Sequence, residues 1–154
     1  TYTTQSACLG LTPMILLDTN VLSEFMRPQP APQVVAWLDG QVAHTLYVSA
    51  VNRAEIELGL ALMPTGKRQA GLVAAARTMF EEDFAGRCLA FDGECASHYA
   101  HIVAARTRMG RPISVEDAQI AAIALERGMR LATRNTADFA HIDGLPLIDP
   151  WIAI

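Results

Sequence analysis

An α/β domain on a mainly parallel sheet of roughly five strands is what this sequence predicts, on three observations. Short apolar or β-branched runs alternate with longer helical patterns from Met14 to the C-terminal end. The first apolar run, Met14-Ile-Leu-Leu, stops abruptly in Asp18-Thr19-Asn20, residues that favour helix starts and turns. No repeat, low-complexity tract or linker divides the chain into further domains.

In chain order, the first strand hands over to a short helix over Val21 to Met26, stopped by Pro28-Gln-Pro30-Ala-Pro32. Pro32 suits the first turn of a second helix, Gln33 to Leu38, closed at Gly40. Thr45 to Ser49 is β-branched and aromatic, a second strand. Val51 to Met63 reads as a helix, broken at Pro64-Thr-Gly66, and Lys67 to Phe84 as a long Ala-rich helix. Arg87 to Phe91 is the third strand, and Asp92 caps a helix that runs to Met109 and ends at Gly110-Arg-Pro112. Ser114-Val-Glu-Asp117 opens a capped helix to Arg127, with Gly128 as its stop. Met129 to Thr133 is the fourth strand, Arg134 to Ala140 a loop, and Leu145 to Ile148 a short fifth strand. Thr1 to Pro13 carry no charge and read as a leader or tag-like extension, so that a single domain spans 14–154.

With 154 residues, 51 % hydrophobic and 18 % charged, the chain can bury a full core. A net charge of −4 excludes a basic nucleic-acid-binding surface, so any polyanion would need a metal ion, a local arginine or a partner. Cys8, Cys88 and Cys95 form no Cys-x-x-Cys pair, which points to a reducing compartment and a cytoplasmic protein. No apolar run reaches the ~18–20 residues of a membrane span.

Four acids stand out. Asp18 follows strand one, Glu55 lies early in the helix after strand two, Asp117 begins the helix before strand four, and Asp138 lies in the loop after it. Right-handed crossovers bring the carboxyl ends of parallel strands to one edge, where α/β sheets bind ligands. Asp18, Asp117 and Asp138 each have a plainer reading, as an N-cap, as the acid of a capping box with Ser114 and as the cap of a short helical turn. Glu55, however, shares an apolar stripe with Val51 and Leu58, and Asp117 shares one with Ile120, Ala121 and Ala124. Carboxylates on core-facing stripes are costly unless paired or bound to a cation. Oxygen ligands favour Mg²⁺ or Mn²⁺ over zinc. Glu57 would face about 160° away from Glu55 on the same helix, and Glu116 is one residue off the Asp117 stripe.

These residues carry a family pattern. Met14-Ile-Leu-Leu-Asp18-Thr-Asn, Ser49-Ala-Val-Asn-Arg-Ala-Glu55-Ile-Glu-Leu-Gly59, Asp117-Ala-Gln-Ile-Ala-Ala122, Ala132-Thr-Arg-Asn135-Thr-Ala-Asp138-Phe139 and the tail Asp149-Pro-Trp151 together resemble the PIN-domain ribonucleases. Among these, the chain is most similar to the VapC toxins of bacterial toxin–antitoxin pairs, in their FitB-like branch. The resemblance implies a three-layer α/β/α fold whose acidic pocket binds Mg²⁺ or Mn²⁺ and cleaves RNA. Carried over by position, Asp18 and Asp117 are metal ligands and Glu55 completes the acidic triad that holds the metal. Asp138 or Asn135 supplies the fourth position, with Asp138 favoured because residue 135 is an amide. Thr19 or Asn20 would support Asp18, and Thr133 would orient the site. Arg134 would either contact a phosphate or stand as an exposed structural arginine. In such proteins a small DNA-binding antitoxin, of VapB or FitA type, wraps the toxin, and the toxin forms a homodimer or a higher heteromer. Here the first two helices and the Ala-rich helix from Lys67 are the candidate dimer surface.

Three other readings compete with this one. A PIN-like domain without catalysis would only bind its partner. A phosphoacceptor receiver domain also places an Asp at a strand end, but strand one supplies only Asp18 and the only lysine is Lys67, before strand three. Cys95, His98 and His101 have a spacing that invites a zinc site, but they drift around their helix.

Overall fold

The computed structural model describes residues 13–152, so the expected extension lies, apart from Pro13, outside the described residues. In chain order the elements are β1 (Ile15–Leu17), α1 (Thr19–Phe25), α2 (Pro32–Asp39), β2 (Leu46–Ser49), α3 (Ala50–Ala61) and α4 (Lys67–Thr78). There follow β3 (Cys88–Leu89), α5 (Gly93–Arg108), α6 (Val115–Glu126), β4 (Arg130–Ala132) and β5 (Leu147–Ile148).

All four pairings are parallel and the strand order is β3-β2-β1-β4-β5. A receiver domain has the order 2-1-3-4-5, so the topology removes that reading. From β1 the chain builds outward through β2 and β3, then crosses to the other side of β1 to add β4 and β5. The direction of winding reverses between β1 and β4. At such a switch point the connections leave to opposite faces and a crevice opens at the carboxyl ends of the two strands.

The pleat of β1 sorts the core into two faces. Ile15 and Leu17 join Val21, Val34, Ile56 and Phe80 on one side. Leu16 joins Ile102, Ile120, Ile123 and Phe139 on the other. This makes three layers. Leu16 and Leu17 are both 0 % exposed, and burying each such side chain contributes about 1.5–3 kcal/mol. In α6, Ala118, Ala121, Ala122 and Ala124 are fully buried, and their small side chains let the helix lie close to its neighbours. No helix among the described residues is long and apolar enough to cross a membrane.

Most other boundaries shift by one or two residues, and three departures from expectation have a physical reason in the structure. The first helix starts at Thr19 rather than Val21, because Asp18 caps it directly. The expected helix to Phe84 leaves the α form after Thr78 and closes with a π-type turn, Met79–Asp83, in which the Phe84 amide donates to the Met79 carbonyl at 2.9 Å. That wider turn lets Met79, Phe80 and Phe84 all enter the core. The third strand pairs only through Cys88 and Leu89, because its neighbour β2 ends at Ser49, where α3 begins.

Candidate active site

Asp18 stands at the switch point, immediately after β1, and its own amide donates to the Ala132 carbonyl of β4 at 2.9 Å. Its side chain is held from both strands. Oδ1 accepts from the Thr19 amide at 2.8 Å, and Oδ2 accepts from Thr133 Oγ1 at 2.7 Å. Asn20 Nδ2 reaches Oδ2 at 3.4 Å and Thr133 Oγ1 at 3.3 Å, and its own Oδ1 accepts from the Arg134 amide at 3.1 Å. The Asn135 amide donates to Thr133 Oγ1 at 3.0 Å. The cap role and the site role of Asp18 therefore coexist.

A residue given no role in the sequence reading completes the network. Asn52 is 0 % exposed and forms a capping box with Ser49 at the start of α3. Its Nδ2 reaches Asp18 Oδ1 at 3.4 Å and donates to Thr19 Oγ1 at 3.1 Å, which donates in turn to Glu55 Oε1 at 3.1 Å. The available signal was the Ser49–Asn52 spacing together with its place one turn before Glu55.

Glu55 and Asp117 are half-buried, and Asp138 is exposed on the loop after β4. Ser114 caps α6 and accepts from the Asp117 amide at 3.1 Å, which fixes Asp117 in the first turn. Burial pushes the Asp18 carboxyl above its ordinary value of 3.8; bonds from Thr133, Thr19 and Asn52 pull it down without cancelling the rise, and the charge of Asp138 adds to it. Burial also raises Glu55, against the Thr19 bond and with repulsion from Asp18, Asp117 and Glu116. Asp117 is raised first by burial, then by Asp18, with Asp138 and Glu116 adding to it and the Ser114 bond opposing. These four acids thus share one electrostatic neighbourhood.

Glu57 faces away, as expected, and pairs with Arg53 at 3.2 Å. Glu116 is closer to the site than its position off the stripe implied, since its charge bears on both Glu55 and Asp117. Arg134 is exposed, and its guanidinium lies 5.0 Å from the centre of the Trp151 ring, which parks it beside the Asp18 network. The alternative zinc set does not form. Cys95 is buried in the core, while His98 pairs with Glu126 at 2.9 Å.

Among the described residues, no three His, Cys, Asp or Glu side chains close into a ready ligand cluster. The donor chemistry of Asp18, Glu55, Asp117 and Asp138 is all oxygen, which suits a hard cation that keeps part of its water shell, as Mg²⁺ does. A groove of about 750 Å³ leads away from the acids between α1, α3 and α4, with Thr19 and Glu55 at one end and Lys67 and Arg68 further along.

Fold and site together define an α/β domain with an acidic pocket at the switch point of a parallel sheet. The family model for the PIN domain matches residues 15–145, and the chain belongs to the PIN-domain family, among the VapC toxins and their FitB-like branch. It is similar to the VapC ribonuclease Y4jK of Sinorhizobium fredii, 41 % identical over 146 residues that cover 90 % of this chain and 98 % of the relative. Toxin FitB of Neisseria gonorrhoeae is 42 % identical over 138 residues, covering 90 % and 99 %. The solved structure of FitAB bound to an IR36 DNA fragment matches with a TM-score of 0.81 at 41 % identity, covering 92 % of this chain and 98 % of that one.

Proposed function

We propose that this chain is the ribonuclease toxin of a type II toxin–antitoxin pair, an endoribonuclease that hydrolyses RNA phosphodiester bonds at a Mg²⁺ or Mn²⁺ site in the cytoplasm. The observation that carries this reading is the convergence of Asp18, Glu55, Asp117 and Asp138 on one rim, with the first three raised by burial and mutual repulsion. Carboxylates so placed gain most from a cation among them. The printed names of the relatives, a VapC ribonuclease and a toxin, support the same activity.

Asp18, Glu55 and Asp117 would hold the cation, and Asp138 would serve as the fourth acid. When bound, the cation supplies Lewis acidity that lowers the pKa of water and neutralises charge on the phosphoryl oxygens. Thr133, Thr19, Asn20 and Asn52 keep Asp18 in place and aimed. Arg134 offers a guanidinium at the rim for a backbone phosphate of the RNA. Water rather than the ribose 2′-hydroxyl is the nucleophile, so cleavage leaves 5′-phosphate and 3′-hydroxyl ends.

The partner is a small antitoxin that binds operator DNA, in keeping with the FitAB–DNA complex. A segment lying in the groove between α1, α3 and α4 brings a basic side chain within reach of Glu55, which would silence the pocket. The toxin itself pairs as a homodimer or within a higher heteromer.

The test is cleavage of RNA by the purified chain with Mn²⁺ and with EDTA, beside Asp18→Asn, and in parallel sequencing of cellular RNA 5′ ends after a pulse of induction of each. Cleavage that needs metal, leaves 5′-phosphates and disappears in Asp18→Asn is expected. Full activity in Asp18→Asn, or products ending in 2′,3′-cyclic phosphate, would overturn the proposal.

A further inference from the structure

Arg106 near the end of α5 is only 6 % exposed, yet among the described residues it pairs with no carboxylate. Its guanidinium is spent on three backbone carbonyls. Nε donates to Arg111 O at 2.8 Å, and Nη1 donates to Asp138 O at 2.9 Å and to Ala140 O at 3.1 Å. Removing so large a charge from water is costly, and hydrogen bonds to the charged group are what offset it. The carbonyls belong to two separate segments. Arg111 lies in the link that leads to Ser114, the residue that caps α6 and fixes Asp117. Asp138 and Ala140 lie in the loop after β4.

We infer that Arg106 is a positioning residue that sets the placement of Asp138 against Asp117 by clasping the two acid-bearing segments with one guanidinium. The inference rests on the reading of Asp138 as the fourth acid of the site. Two features of the loop show why a clasp is needed. Asp117 lies within the field of the Asp138 carboxylate, so when both are ionised like charges have to be held near one another. Immediately beyond Ala140, His141 has φ of 62°, a left-handed conformation that is unfavourable for a residue with a Cβ. Backbone of that kind persists only where its surroundings hold it. Arginine suits the task because its planar fork fixes the angle between its donors, whereas lysine offers a single flexible ammonium.

The experiment is a double-mutant cycle on the full chain, with Arg106→Met, Asp138→Asn and the double variant. Metal-dependent RNA cleavage is measured beside calorimetric titration with Mn²⁺ alone. Outer-shell partners of metal sites commonly affect activity or metal affinity by 10–100-fold. Arg106→Met is therefore expected to lose about 10–100-fold in cleavage or in Mn²⁺ affinity, with no further loss in the double variant beyond Asp138→Asn. Arg106→Lys should recover only a small part. Losses that multiply in the double variant would place Arg106 outside the Asp138 path and overturn the inference, as would full activity in Arg106→Met. Full activity in Asp138→Asn would instead remove Asp138 from the site and fault the underlying reading. Should Arg106→Met not fold, Arg106→Lys carries the same cycle, and failure of both to fold would assign Arg106 to folding alone and overturn the inference.

Discussion

Replacing Thr133 by valine perturbs the acidic pocket while leaving its charge and outline nearly intact. Thr133 is 0 % exposed, and its hydroxyl makes the shortest side-chain bond to Asp18, 2.7 Å to Oδ2. The same oxygen accepts from the Asn135 amide and from Asn20 Nδ2. Asn135 is exposed and can turn to water, so the loss falls mainly on Asp18. A hydrogen bond to a charged group contributes about 1.5–3 kcal/mol. Thr133→Val should therefore cost about 2–3 kcal/mol in the metal-free protein at a pH where the Asp18 carboxylate is ionised. For a domain of this size that lowers Tm by about 4–12 °C.

The cost must also depend on pH, with a fixed sign. The Thr133 bond lowers the pKa of Asp18, although burial still leaves it above 3.8. Without the hydroxyl the folded pKa climbs further. The difference between wild type and variant is fully present above both folded values and shrinks as pH falls through them. Thermal melts of both proteins in EDTA, from neutral pH down toward 3.8, measure this directly. A loss of stability that is equal across the range, or below about 1 kcal/mol at neutral pH, would refute the claim that Thr133 works through ionised Asp18.

Two further outcomes follow from the same site. Because Asp18, Glu55 and Asp117 are raised above 3.8, 4.5 and 3.8, the folded chain holds protons there that the unfolded chain has released. Stability in EDTA should fall as pH rises from those ordinary values through the raised ones, and a Tm that climbs across that window would contradict the assignment. Mn²⁺ at about a hundred times its dissociation constant should stabilise the protein by about 2.7 kcal/mol, raising Tm by about 5–11 °C. That gain should vanish in Asp117→Asn, which differential scanning calorimetry can check.

Much of this was written in patterns that sequence carries well. The alternation of short apolar runs with helical ones defines parallel β/α units, and abrupt polar stops such as Asp18 mark strand ends. Other parts depend on contacts between distant residues. Asn52 reads locally as the partner of Ser49, and its reach to Asp18 spans 34 positions of sequence. Arg106 reads as one of two arginines in the last turn of α5, where a positive charge complements the helix end. Only the packing of the two loops against it shows that it is buried. The π turn after Thr78 arises because Met79, Phe80 and Phe84 compete for one core, a demand that helical spacing alone does not express. Glu116 lies one residue off the Asp117 stripe, yet charges act across the space that separates side chains on neighbouring faces.

The switch point between β1 and β4 also puts the pocket on a clock. Asp18 emerges from the ribosome 115 residues before Thr133, its partner at 2.7 Å. At roughly 5–20 residues per second, synthesis of the intervening chain takes on the order of ten seconds. During that interval β1 has only its β2 side to pair with, and the acids of α6 and the β4 loop have yet to arrive. A chain released early thus carries its first carboxylate and much of its core, but no pocket.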